Sequence, residues 1–211
     1  MITRCLVLLL VAVCPVACRA GFCSADAFAN DARHEFEFFA GYSPASATLI
    51  GTTGDRRFVA AGFEYSYQCW AWKNSSISFT PGVLPAAILL QPTQYAISRS
   101  GSGTAPAHAV YGFGVTPVGF TAHFARQRAV RPFVEARGGI IASTEPIPIN
   151  APDATGLNFL FDFGGGLRWK TDERHAVAFG YKFLHISNAA TTDFNPGLDN
   201  NVFYAGFSFL R

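Results

Sequence analysis

The stretch LNFLFDFGGGLRW, residues 157–169, narrows the fold more than any other part of the chain. Leu157, Phe159, Phe161, Phe163, Leu167 and Trp169 share one parity, while Asn158, Asp162, Gly164, Gly166 and Arg168 share the other. Successive side chains of a strand point to opposite faces, so this segment presents one bulky aromatic face and one small or polar face. Residues 59–68 repeat the pattern, with Val59, Ala61, Phe63, Tyr65 and Tyr67 opposing Gly62, Glu64, Ser66 and Gln68. A soluble sandwich or a lipocalin-like barrel also alternates, but it buries its aromatic face. A narrow barrel in lipid does the reverse, with large groups outside and small or polar groups inside.

Composition separates these alternatives. Only 14% of the 211 residues are charged, where soluble domains carry about 25%. Twenty-one Phe and twenty Gly stand beside a single Met. Beyond the first twenty positions there is no apolar run of the ~18 residues that a helical span requires. The formal charge of +2 favours neither nucleic acid nor an acidic partner. The expectation is an all-β chain, an eight-stranded antiparallel transmembrane β-barrel behind a cleaved signal peptide.

Eight segments carry the strand pattern: about 34–41, 56–70, 76–90, 108–124, 131–143, 157–169, 175–187 and 201–209. Pro81 and Pro85 interrupt the third, since proline cannot donate to a ladder. The connections are 14, 5, 17, 6, 13, 5 and 13 residues long, so long and short alternate. Outer-membrane barrels pair short periplasmic turns with long external loops. The four long connections are therefore expected outside, with ISRSGSGTAP (residues 97–106) a flexible one, and RQRAVR (126–131) is expected as a periplasmic turn. At the start, Arg4 followed by CLVLLLVAVCPVAC reads as a signal peptide over residues 1–20. Residues 21–33 form a short N-terminal segment and 34–211 the barrel. Cys23 and Cys69 then remain in the exported chain, either paired with each other or as two thiols.

Other features receive structural readings. Glu64, Glu135, Arg137, Asp162 and Arg168 are expected to pair inside the barrel. Gly164–Gly166 lies within a strand and relieves crowding; it is not placed to cradle phosphate. His34, His108, His123 and His175 show no metal-ligand spacing, and no cofactor is implied.

One polar stretch stands apart: HISNAATTDFNPGLDN, residues 185–200. In the seventh segment, HAVAFGYKFLHIS, the aromatic residues are odd-numbered, and His185 and Ser187 continue that lipid-facing stripe at its external end. Two positions apart on one strand face, an imidazole has the reach to serve a hydroxyl as general base. A histidine at a membrane boundary can equally be an interfacial anchor, and a serine there the start of a loop. The wording is more specific. HISNA and NPGLD (Asn195–Asp199), with FDFGGGLRW and YGFGVTPVGF (Tyr111–Phe120) upstream, resemble the outer-membrane lipid A 3-O-deacylases, the PagL family. The resemblance extends over Tyr111–Phe209.

That resemblance implies an eight-stranded barrel in the bacterial outer membrane that hydrolyses an acyl ester of lipid A. Its ligands would be lipopolysaccharide and outer-membrane lipid, with no nucleic acid. It implies Ser187 as nucleophile, His185 as base and Asn188 as an oxyanion contributor, with neither metal nor cofactor. The family's acid is a Glu twelve residues after the serine, and Asp199 stands there in this chain. Asp199 shares parity with Phe203, Phe207 and Phe209, so it points outward if the last strand reaches back to it. The turn Asn195-Pro196-Gly197 would fold the loop back toward His185, and Asp193, before that turn, is the rival acid. Restoring the family Glu at 199 is expected to be tolerated. A non-catalytic barrel, structural or adhesive, and an acyltransferase using the same Ser/His site are the alternatives.

Overall fold

A computed structural model describes residues 32–98, 101–147, 154–193 and 195–211. The expected signal peptide and Cys23 lie outside the described residues. The strands are β1 (His34–Ser43), β2 (Ser46–Ala47), β3 (Arg57–Ala71), β4 (Ser75–Phe79), β5 (Gly82–Gln91), β6 (Gln94–Ser98), β7 (Gly101–Ala105), β8 (His108–Phe124), β9 (Val130–Ser143), β10 (Leu157–Lys170), β11 (His175–Ser187) and β12 (Leu198–Leu210). All pairings between them are antiparallel, and β1 pairs both β12 and β3, which closes the ring. β4 and β5 are two halves of one wall between β3 and β8, and β2 prolongs β1 along β12. The ten segments of this sheet therefore make eight walls.

The outward face is the aromatic one. Phe179 and Phe203 are 62% and 60% exposed, while the alternate residues Ala178, Lys182, Val202 and Tyr204 are buried. No helix among the described residues is long and apolar enough to cross a membrane.

The prolines act where the sequence placed them. The third wall breaks at Thr80-Pro81, where Thr80 donates to the Gly119 carbonyl and Tyr65 to the Pro81 carbonyl at 3.0 Å. The β5–β8 register shifts between Leu84 and Ala87, around Pro85, and the β8–β9 register shifts between Val115 and Val118, around Pro117. At Gly164 a Cβ would stand 1.9 Å from the Tyr181 carbonyl oxygen, so only glycine lets β10 and β11 approach there.

Two layers fill the lumen. Toward the rim with the long connections lies an apolar cluster that includes Phe58, Leu89, Ile141, Ile186, Leu198 and Val202. Deeper, Arg137 pairs with Glu64 and lies 3.0 Å from Glu135 and 3.1 Å from Asp162. The last two contacts are close as charges but poorly angled as hydrogen bonds. Lys182 bridges to Glu64 at 2.6 Å, and Arg168 pairs with Glu35. The five expected lumen charges are thus inside and paired, joined by Lys182 and Glu35. Buried charges are tolerated when charges of opposite sign lie this close to one another.

The four long connections lie at one rim; the three short turns and the described ends lie at the other, where His34 and Arg211 exchange backbone hydrogen bonds of 2.9 and 2.8 Å. One connection contains strand pairing of its own, outside the barrel sheet. Within the second long connection, β6 and β7 pair antiparallel, with Tyr95 opposite Thr104 and Ile97 opposite Ser102. Cys69 is buried, with its thiol 3.5 Å from the Tyr67 carbonyl oxygen.

Candidate active site

His185 and Ser187 close the long-loop end of β11. Their backbones face Phe161 and Phe159 of β10 on one side, and His185 faces Asp199 of β12 on the other. Both point outward, and the imidazole packs on the Phe161 ring at 5.2 Å between centroids. His185 and Ser187 retain only 7% and 9% of their exposure. Because β12 begins at Leu198, three residues before the aromatic pattern suggests, Asp199 is a strand residue with an outward side chain. Its Oδ1 lies 2.5 Å from His185 Nδ1. Direct cross-strand pairing supplies the close backbone approach that the shorter Asp side chain needs.

An outward residue at a barrel rim should be accessible, yet Asp199 is completely buried. The first long connection covers it. β2 aligns Ala47 with Asp199 and Ser46 with Asn200. The chain then crosses the start of β12, and the amides of Leu49, Ile50 and Gly51 donate to Asp199 Oδ2 at 2.8, 2.7 and 2.9 Å. Thr52 fastens the crossing through its amide and hydroxyl to the Pro196 carbonyl at 2.6 and 2.7 Å, and Thr53 donates to Gly197 at 3.3 Å. The contact is tight enough to specify glycine on both sides. A Cβ at Gly51 would lie 2.6 Å from the Gly197 carbonyl carbon, and Gly197 itself has φ of +60°. These three amides were not foreseen from the sequence; of this segment only Gly51 carries a signal, and it becomes readable once Gly197 is known to oppose it.

The remaining sequence-predicted residues divide. Asn188 sits at the start of the 188–197 loop, buried, with its amide nitrogen Nδ2 donating to Thr192 Oγ1 at 2.7 Å and its Oδ1 accepting from the Ala190 amide at 3.0 Å. It organises a turn in which Ala189 and Ala190 take positive φ of 53° and 58°. Asp193 is exposed on that loop and makes no ion pair among the described residues. The Ser187 hydroxyl and His185 Nε2 make no hydrogen bond among the described residues. With Nδ1 committed to the carboxylate, Nε2 is the ring nitrogen left to exchange a proton. Among the described residues no His, Cys, Asp and Glu cluster is placed to hold a metal ion. A carboxylate, an imidazole oriented by it and a serine on the same face make up the arrangement used for acyl transfer through a serine ester.

The sequence matches the family described as Lipid A 3-O-deacylase (PagL) over residues 59–208. Among curated proteins no sequence match is found. Among solved structures the chain is similar to the outer membrane enzyme PagL, with a TM-score of 0.56 and 16% identity over 82% of this chain and 97% of that one. It is also similar to Neisserial surface protein A, with a TM-score of 0.51 and 10% identity over 84% and 96%. For the outer membrane protein OprG from Pseudomonas aeruginosa the TM-score is 0.50 and the identity 11%, over 85% and 96%. At these identities the structural likeness speaks for the fold.

Proposed function

Since the chain belongs to the family of outer-membrane lipid A 3-O-deacylases, we propose that it performs the ester hydrolysis of that family with Ser187 as nucleophile, His185 as general base and Asp199 as the orienting acid. The observation that carries the reading is the 2.5 Å contact between His185 and Asp199 on the lipid-facing side of the barrel, beside Ser187. His185 Nε2 takes the Ser187 proton as the hydroxyl oxygen attacks the ester carbonyl of lipid A. The tetrahedral intermediate then collapses. His185 returns the proton to the departing sugar oxygen, and the acyl chain stays on Ser187. Water, deprotonated by His185, attacks this acyl-enzyme and releases the fatty acid. Asp199 holds the proton on Nδ1 and stabilises the imidazolium formed in each half-reaction. Nucleophile–base hydrogen bonds are commonly long without substrate and tighten in the Michaelis complex. Asn188 contributes to the oxyanion site by exchanging Thr192 for the developing charge, a donor worth about 3 kcal/mol in such sites.

An outward-facing site suits this substrate. Lipid A lies in the same leaflet as the long-loop rim, so its ester can approach sideways without leaving the membrane. Mass spectrometry of lipid A from cells expressing the wild type or Ser187→Ala tests the reading. The wild type should remove the mass of one acyl chain and Ser187→Ala should leave lipid A intact. Unchanged lipid A in wild-type cells would point to a non-catalytic barrel, and an acyl gain on another lipid to transfer.

A further inference from the structure

The Asp199 carboxylate is held in two halves. Oδ1 meets the imidazole; Oδ2 receives three consecutive backbone amides at 2.7–2.9 Å. Successive N–H groups converging on one oxygen form a concavity of positive partial charge, suited to an anion. The chain exposes apolar surface in making it, because Leu49 and Ile50 leave their side chains 74% and 55% exposed. The same segment is fastened to the loop that precedes Asp199, through Thr52 and Thr53 to Pro196 and Gly197. Cradle and acid are therefore tied to each other through backbone contacts as well as through the carboxylate.

We propose that the Leu49–Gly51 backbone is a positioning element for catalysis, a clasp that fixes the Asp199 carboxylate on His185. This inference rests on the reading of Asp199 as the acid of the site. An aspartate that can rotate offers its oxygens to water as well as to the imidazole. With Oδ2 held by the clasp, Oδ1 stays presented to Nδ1. The benefit falls in the transition state, when the imidazolium forms, and not in substrate binding. The clasp thus acts through Asp199 and touches no reacting atom.

The test uses the full-length protein in detergent with lipid A micelles. Gly51→Ala forces the clasp away from Gly197, and Ile50→Pro deletes the middle N–H. Each variant is made alone and in an Asp199→Asn background, with heat-modifiable migration as the check that the barrel has folded. Each single variant should lower kcat by roughly tenfold or more, with KM within about twofold, as loss of an orienting group does. Neither should lower kcat further once Asp199 is Asn. The downfield proton resonance of His185 Nδ1 should shift or broaden in both. If one variant fails to fold, the other carries the test. Wild-type kcat in Gly51→Ala or Ile50→Pro, alongside a crippled Asp199→Asn, would overturn the clasp. So would a loss of the same size with and without Asp199. Full activity of Asp199→Asn itself would instead refute the assignment of the acid.

Discussion

At the scale of single residues, the geometry separates His185 from the other histidines. His123 lies inside the barrel, 3.4 Å from Arg168 and against the Phe133 ring, and has no route to a lipid ester. Ser187→Ala and His185→Ala should each lower ester hydrolysis by about 10⁴-fold or more while the barrel still folds. His123→Ala should keep hydrolysis within a few-fold of wild type, and a steady-state assay on the three variants checks the assignment. The clasp also bears on the acid. A Glu at 199 was expected from the family pattern to be tolerated. Three amides sized to an aspartate on a fully buried position argue the other way, because one more methylene pushes the carboxylate past Gly51. Asp199→Glu should therefore lower kcat, and equal or higher kcat in that variant would show that the clasp yields. The outward direction of His185 and Ser187 was legible because a strand repeats every two residues, and that of Asp199 because it shares parity with Phe203; the roles proposed for them came from the family resemblance and not from the spacing. The clasp was not legible, since a backbone N–H belongs to every residue but proline and no letter marks where three of them converge.

At the scale of elements, the strands were read from alternation of bulky and small residues, and β8 and β11 begin and end where that alternation does. The reading fell short at β12, whose first residues Leu198, Asp199 and Asn200 include no aromatic. Alternation reports lipid contact, and it lapses where the outward position meets a histidine and a covering loop instead. It did not separate β6 and β7, which pair with each other outside the barrel sheet. Inside the walls, the charges were predictable as a set but not their partners, because register decides who meets whom. Lys182 shows the consequence. Its ammonium lies 2.6 Å from Glu64, 3.6 Å from Glu135 and 4.0 Å above the Phe39 ring, all within the lumen. Lys182→Met leaves buried carboxylates short of a positive partner and should cost about 3–5 kcal/mol. Adding Glu64→Gln should recover part of that loss. Urea unfolding midpoints in lipid vesicles measure both, and unchanged stability in Lys182→Met would mean that water has entered the network.

At the scale of the whole molecule, membership of an outer-membrane family agrees with the closed ring and its outward aromatic belt, and the proposed site lies at the long-loop rim. Sidedness follows from connection length, and cysteine labelling can test it. An impermeant maleimide applied to intact cells should label Asp193→Cys, on the 188–197 loop, and spare Gln127→Cys, in the short turn after β8. The opposite pattern would invert the barrel. The filled interior has an electrical consequence. Arg137, Lys182 and their carboxylates occupy the middle of the lumen, and Phe58, Ile186 and Leu198 close it toward the long-loop rim. Ions crossing this barrel would have to displace both a packed apolar layer and a set of fixed, paired charges. Reconstituted into a planar bilayer under an applied voltage, the protein should leave the current at baseline, and discrete single-channel steps would show that the packing opens. With the proposed site on the outer wall, the chemistry can proceed while the membrane keeps its resistance.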